Sequence, residues 1–307
     1  MKTDDLRFDR PGGIARLAGR PVGRIGFGAM QLVADRPERP APDRSTAVTV
    51  LRRAVERGAN HIDTAQFYGD GACNELIRAA LSPYPEDLVL VSKVGAASAP
   101  KAGIVAAQRP EQLRAQVEAN LATLGIEQIP VINLRRLDTP PGLRAEGDQQ
   151  VDLDAQLAEL LTLRAEGKID GIGLSNVSAA QLRRALPARI ECVQNLHHPL
   201  DRTAEPVLDL CREHDIAWVP FFPFGSAWSA GPKPIAHPTV VAIAETLNAT
   251  PAQIISAWHL SHYSHTLLIP GTTDPDHLDD NLAAGRIVLD ANAQAAIDNL
   301  AGDPTPE

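Results

Sequence analysis

Short apolar runs alternate eight times with segments of helical periodicity along this 307-residue chain, and that alternation constrains the fold more than any other feature. The runs are RIGFGAM (24–30), HIDTAQ (61–66), LVLVSKV (88–94), IPVINLRRL (129–137), GIGLSN (171–176), ECVQNL (191–196), IAWVPFF (216–222) and TLLIPG (266–271). Each is short and apolar on both faces, as are strands of a parallel sheet covered on both sides. The intervening segments start and stop as helices do. TAVTVLRRAVERG ends in Gly58, PEQLRAQVEANLATLG runs from Pro110 to Gly125, and LDAQLAELLTLRAEG ends in Gly167, with proline early and glycine late. Strand and helix repeated in this way predict a single-domain (β/α)8 TIM barrel. The rival is a doubly wound open sheet, which needs a glycine-rich phosphate loop after an early strand. GFGAM is the only candidate; it lacks the third glycine and is followed by the proline-rich QLVADRPERPAPD.

Composition removes several function classes. With 29 Lys and Arg against 38 Asp and Glu the formal net charge is -9, and no basic cluster is interleaved with aromatics, so no nucleic-acid partner is expected. No apolar stretch reaches the about 20 residues of a membrane helix, and MKTDDLRFDRPGG is charged throughout, unlike a secretory leader. The expectation is a cytoplasmic protein with no membrane partner, a monomer or small homo-oligomer acting on a small molecule. Cys73, Cys192 and Cys211 are too few and too scattered for a disulfide framework or a zinc ribbon. The histidines of WHLSHYSHT, His259, His262 and His265, step backwards around a helix and cannot converge on one ion, so no metal is expected and they read as surface or helix-end residues.

In a barrel the reactive groups stand at the C-terminal ends of the strands. There the sequence offers Asp63, Tyr68 in the following loop, Lys93, Arg135, Ser175, Asn176, Gln194, Phe221 and the turn from Pro270 to Thr273. Asp63, Tyr68 and Lys93 read as one proton-handling unit. A tyrosine with its ordinary pKa of about 10 is a poor proton shuttle at neutral pH, and a neighbouring ammonium is expected to lower that value. An anion beside Lys93 keeps a buried lysine charged, and Asp63 on the preceding strand is placed to do so. The plainer alternative is a structural ion pair with a tyrosine packed on the rim.

HIDTAQFYG, VSKVG, GIGLSNVS, VQN, VPFFPFG and LIPGTTDPDHLDDNLAA, in this order from about Arg24 to Ala284, resemble the aldo-keto reductases. The resemblance implies NAD(P)H-dependent interconversion of a carbonyl and an alcohol, with Tyr68 as general acid tuned by Lys93 and Asp63. NADPH is the implied cofactor, with NADH possible. By the same resemblance Ser175, Asn176 and Gln194 bind the nicotinamide carboxamide and Phe221 stacks on the ring. Gly28 and the segment Pro270, Gly271, Thr272, Thr273, His277 and Asn281 hold the rest of the cofactor. Gly271 and His277 stand where many members have lysine and arginine for the 2′-phosphate, which weakens the preference for NADPH. Residues 1–20 read as an extension or cap, 224–237 as a cofactor-covering loop with Trp228 and Lys233, and 290–307 as a C-terminal helix and tail.

The sharpest departure is in the fourth run. Where the family usually has a histidine for the substrate carbonyl, IPVINLRRLD places Arg135, with Arg136 turned the other way by strand alternation. Members ending this strand in NLR include pyridoxal reductases, so the resemblance implies pyridoxal as a substrate, its ring hydroxyl and aldehyde engaged together by Arg135. His197 is a further candidate on alternation alone. Two other classes remain open: a nicotinamide-binding sensor with vestigial turnover, favoured by Arg135, and a metal-dependent barrel hydrolase, disfavoured by the missing HxH in the first run.

Overall fold

The computed structural model describes residues 10–34, 40–99, 103–138, 142–225 and 233–301. A hairpin of β1 (Ile14–Leu17) and β2 (Arg20–Gly23) precedes the main sheet of β3 (Phe27–Gly28), β4 (His61–Asp63), β5 (Val89–Val94), β8 (Ile129–Arg135), β9 (Ile169–Ser175), β10 (Ile190–Gln194) and β11 (Ala217–Trp218). A second hairpin, β6 (Ala96–Ala99) and β7 (Gly103–Ala106), projects between β5 and β8. All pairings in the 7-stranded sheet are parallel and follow chain order from β3 to β11, so the order never reverses as it must in a doubly wound sheet.

The eighth run closes the barrel. Leu267 N donates to Trp218 O at 2.8 Å and Leu268 N to Arg24 O at 2.7 Å, giving parallel bridges Trp218–Thr266 and Ile25–Leu268. The runs expected over 216–222 and 266–271 are thus regular only in part, because Pro220, Pro223 and Pro270 have no N–H for the ladder. The helices are α1 (Arg44–Glu56), α2 (Ala72–Leu81), α3 (Pro110–Leu124), α4 (Leu153–Ala165), α5 (Ala179–Ala185), α6 (Glu205–Glu213), α7 (Pro238–Thr246), α8 (Pro251–His262), α9 (Pro275–Ala283) and α10 (Ala291–Asp298). Gly125 ends α3 in the left-handed region, at φ 67.

Inside the barrel Val89, Val91, Val131, Cys192, Ala217, Val219 and Leu267 pack together, with Leu17 and Val22 of the hairpin laid over them. Ala18 N donates to Glu191 Oε2 at 3.1 Å near the start of β10, so this hairpin plugs the end of the barrel opposite the strand C-termini. The cap expected over 1–20 therefore reaches Gly23 in its structured part, while residues 1–9 and the loop residues 226–232, Trp228 among them, lie outside the described residues.

Two histidine readings need correction. His259 is buried in α8, not at the surface, and His197 is buried beside it instead of facing the barrel mouth. The His197 ring stacks on Trp258 at 5.6 Å and meets Trp218 and His259 at 5.7 and 5.4 Å, and neither of its ring nitrogens has a hydrogen-bond partner. Burial lowers the His197 pKa to about 3 and that of the enclosed His61 to about 4. Both stay neutral when folded but protonate near pH 6.5 when unfolded. Their stabilisation is present above about pH 6.5 and is lost as pH falls toward the folded values, at about 1.4 kcal/mol per pH unit for each group. Melting curves between pH 7.5 and 5 should therefore show a smaller decline for His197→Phe than for wild type, by about one proton's worth of slope. An unchanged slope would remove His197 from the acid response.

Candidate active site

The loop after β4 turns back through Gly69, Asp70 and Gly71, all at positive φ (63, 51 and 91), and leads directly into α2. This turn presents Tyr68 to the C-terminal rim, with Phe67 edge-on to it at 5.1 Å. Asp63 ends β4 and pairs in register with Val91 of β5, two residues before Lys93. Lys93 Nζ forms an ion pair with Asp63 Oδ1, donates to Thr64 O at 3.0 Å and lies 5.0 Å from the Tyr68 ring centroid. The other carboxylate oxygen of Asp63 accepts from Gln194 Nε2 at 2.7 Å. The three groups expected to handle the proton are therefore in contact, and Gln194 is tied to them.

The expected pKa direction for Tyr68 is reversed. Burial raises it above the ordinary tyrosine value, and the opposing field of Lys93 does not cancel the cost of burying a phenolate. Tyr68 thus carries its proton at neutral pH and stands ready as a donor. For Lys93 burial acts to lower the value, but Asp63 and then Tyr68 outweigh it and hold the ammonium above the usual lysine range.

Arg135, the last residue of β8, turns inward. Its guanidinium lies 5.4 Å from the Phe221 ring centroid and donates to Ser175 Oγ at 3.4 Å, and among the described residues no carboxylate lies within ion-pair distance of it. Burial lowers its pKa, with the Tyr68 charge acting in the opposite sense. Arg136 points outward as strand alternation predicts, donating to Val151 O at 3.0 Å and pairing with Asp138 at 2.8 Å.

Ser175, Asn176 and Gln194 end adjacent strands β9 and β10 on the same rim. Asn176 adopts φ 59, its N donates to Gln194 O at 2.9 Å and its Nδ2 to Arg136 O at 3.2 Å. The sequence reading missed Asn195, which fixes this turn by accepting from Val177 N at 3.0 Å and donating to Val177 O at 2.7 Å. The available signal was a polar residue directly after a buried strand. Phe221 offers an aromatic face on that rim, shared with Arg135. Buried amide and hydroxyl groups beside an aromatic ring and the Asp63–Lys93–Tyr68 unit suit a planar, hydrogen-bonding heterocycle such as nicotinamide.

The Pro270–Asn281 segment adjoins the barrel closure. Gly28 N donates to Pro270 O at 3.3 Å, and a Cβ on Gly271 would sit 2.4 Å from Gly28 O, so the two glycines let these backbones touch and leave no room for a side chain at 271. Thr272 Oγ1 accepts from Asp274 N at 3.0 Å, and Thr273 is partly buried. Asp274 caps α9, its Oδ1 accepting from Asp276 N at 2.8 Å and His277 N at 3.3 Å. The helix N-terminus expected to meet a phosphate therefore already holds a carboxylate. His277 is exposed and Asn281 buried on the same helix. Lys233, at the edge of the described loop, is exposed. Among the described residues no cluster of histidine, cysteine and carboxylate groups could hold a metal ion, and no helix is long and apolar enough to cross a membrane.

On the C-terminal rim of a parallel barrel, a buried Asp–Lys pair against a half-buried tyrosine can hold and release a proton beside a fixed positive charge. The family model for the aldo/keto reductase family matches residues 24–301, and the chain belongs to that family. It is similar to the Escherichia coli pyridoxine 4-dehydrogenase, 38% identical over 285 residues that make up 92% of this chain and 96% of that one. A soybean protein named probable aldo-keto reductase 1 is 30% identical over 299 residues, covering 88% and 83% of the two chains. In structure it is similar to a Klebsiella pneumoniae aldo/keto reductase in complex with NADP and acetate, with a TM-score of 0.76, 26% identity and coverage of 96% and 97%. The chain is accordingly an oxidoreductase that interconverts a carbonyl and an alcohol with a nicotinamide cofactor.

Proposed function

We propose that this enzyme uses NADPH to reduce aldehydes that carry an anionic oxygen beside the carbonyl, pyridoxal among them. The observation that carries this reading is Arg135, a half-buried guanidinium on the Tyr68 side of the mouth with no carboxylate among the described residues within ion-pair distance. Burying a charge without a partner is costly, and a phenolate adjacent to an aldehyde offsets that cost while aligning the carbonyl. The pyridoxine 4-dehydrogenase relative supports this substrate class, and the NADP in the Klebsiella structure supports the cofactor.

Bound NADPH supplies the hydride. Ser175, Asn176 and Gln194 hold the carboxamide and Phe221 the ring. Gly28, Pro270, Gly271, Thr272, Thr273, His277 and Asn281 line the remainder of the cofactor. Tyr68 donates its proton to the developing alkoxide, and the phenolate left behind is stabilised by Lys93, itself held by Asp63. A sensor without turnover would have no use for a buried ammonium aimed at a tyrosine. We place the enzyme in the cytoplasm as a monomer or small homo-oligomer.

Arg135→His tests the substrate reading in kcat/KM for pyridoxal and for benzaldehyde. A charge-assisted hydrogen bond contributes roughly 1.5–3 kcal/mol, so pyridoxal should lose about tenfold to a few hundredfold more than benzaldehyde. Equal losses would assign Arg135 to carbonyl polarisation, and no loss would sink the role.

A further inference from the structure

Past the end of regular pairing between β5 and β8, where Val94 meets Leu134, the two chains are joined by a side chain. Gln108 is 1% exposed, and its Nε2 donates both to Gly95 O and, at 2.8 Å, to Arg135 O. The amide bridges the carbonyls at the two strand ends, with Gly95 O also accepting from Ala107 N at 3.2 Å. Gln156, 0% exposed, locks it in place: its Nε2 donates to Gln108 O at 2.7 Å and to Gln108 Oε1 at 3.0 Å, and its own Oε1 accepts from Arg136 Nη1. Gln108 N in turn donates to Gln149 Oε1 at 2.8 Å.

The peptide between Arg135 and Arg136 is consequently fixed on both sides. Its carbonyl is held by Gln108, and its N–H, from Arg136, donates to Ser175 O at 2.8 Å. Gly95 is part of the same device, because a Cβ there would stand 2.4 Å from Arg135 O and 2.7 Å from Gln108 Nε2. With that plane fixed, the Arg135 side chain can only leave the strand inward, toward Tyr68 and Phe221, while Arg136 leaves outward into the glutamine pair.

We propose that Gln108, locked by Gln156, is a positioning residue that sets substrate selectivity by aiming Arg135. The inference rests on the reading of Arg135 as an anion clamp. Gln108 is more than 25 residues before Arg135 in the chain and reaches no reacting atom, so its effect must pass through the arginine's backbone.

The experiment compares Gln108→Met, which keeps length and loses both donors, with Arg135→His. For Gln108→Met the pyridoxal-to-benzaldehyde ratio of kcat/KM should fall by about three- to tenfold, mainly through KM for pyridoxal, because a misaimed guanidinium keeps part of its attraction. Turnover of benzaldehyde should stay near wild type. Two-dimensional NMR of protein labelled with ¹⁵N-arginine should show the Arg135 Nε–H signal, assigned by its loss in Arg135→His, broadened or exchanging faster in Gln108→Met. If Arg135→His lowers the ratio but Gln108→Met changes neither ratio nor signal, the positioning role is wrong and the clamp stands. If Arg135→His leaves the ratio unchanged, the clamp is wrong and the selectivity claim for Gln108 is overturned with it. A Gln108→Met protein that melts lower, yet keeps both ratio and signal, assigns Gln108 to stability alone and also overturns the proposal.

Discussion

Tyr68→Phe is expected to lower kcat for carbonyl reduction by about 10²–10⁴-fold, the range associated with a positioned proton donor. The affinity for NADPH, followed by quenching of protein fluorescence, should be unchanged, since the hydroxyl acts on the developing alkoxide and not on the ring. The raised pKa of Tyr68 adds a condition on pH. Burial keeps the phenol protonated, so the rate of reduction should hold through neutral pH and decline only above the ordinary tyrosine range. A decline centred near neutrality that survives Tyr68→Phe would point to another acid, as would retention of more than about a tenth of the wild-type rate.

The direction of that pKa shows what a sequence can and cannot disclose. Asp63, Lys93 and Tyr68 were legible because strand periodicity places two of them at the ends of neighbouring strands and the turn brings in the third. Their contact follows from the barrel alone. The sign of the Tyr68 shift was not legible, because it depends on a balance between burial and one nearby charge, and the depth of burial emerges only when Phe67 and the surrounding loops pack. The eighth strand was legible as an apolar run, yet its reduction to isolated bridges is a matter of hydrogen-bond geometry around Pro270. His197 was misread because strand alternation, and His259 because an i, i+3 count, gives only a direction, whereas burial depends on the packing of His197 against Trp218 and Trp258 and of His259 against Trp258 and His197. Asn195 and Gln108 were missed for a related reason. Their partners include backbone atoms of other segments, and the one signal in the sequence was the position of Asn195 directly after a buried strand.

Lys93→Met should destabilise the fold by about 3–5 kcal/mol, the usual consequence of leaving one member of a buried ion pair without the other. Among the described residues, the Asp63 carboxylate would keep the amide of Gln194 on one oxygen and lose its ammonium on the other. The folded pKa of Lys93 is raised, so the pair's contribution is complete at neutral pH, below the unfolded lysine value, and is lost only as pH climbs through the folded one. Urea unfolding at pH 7 therefore measures it in full. Asp63→Leu should be destabilising for the mirror reason, with the ammonium retaining Thr64 O and the Tyr68 ring. The double variant Lys93→Met/Asp63→Leu carries no buried charge at either position and should be more stable than either single variant, since apolar replacement of both partners is often near neutral. Additive losses in the cycle would mean that the two side chains act independently. Activity separates the structural from the chemical role. In the restored double variant the protein is folded, but the ammonium beside Tyr68 is gone, and the weaker field of Arg135 is what remains to meet the negative charge as the proton leaves. Reduction should then remain as slow as in Lys93→Met, even though stability has returned.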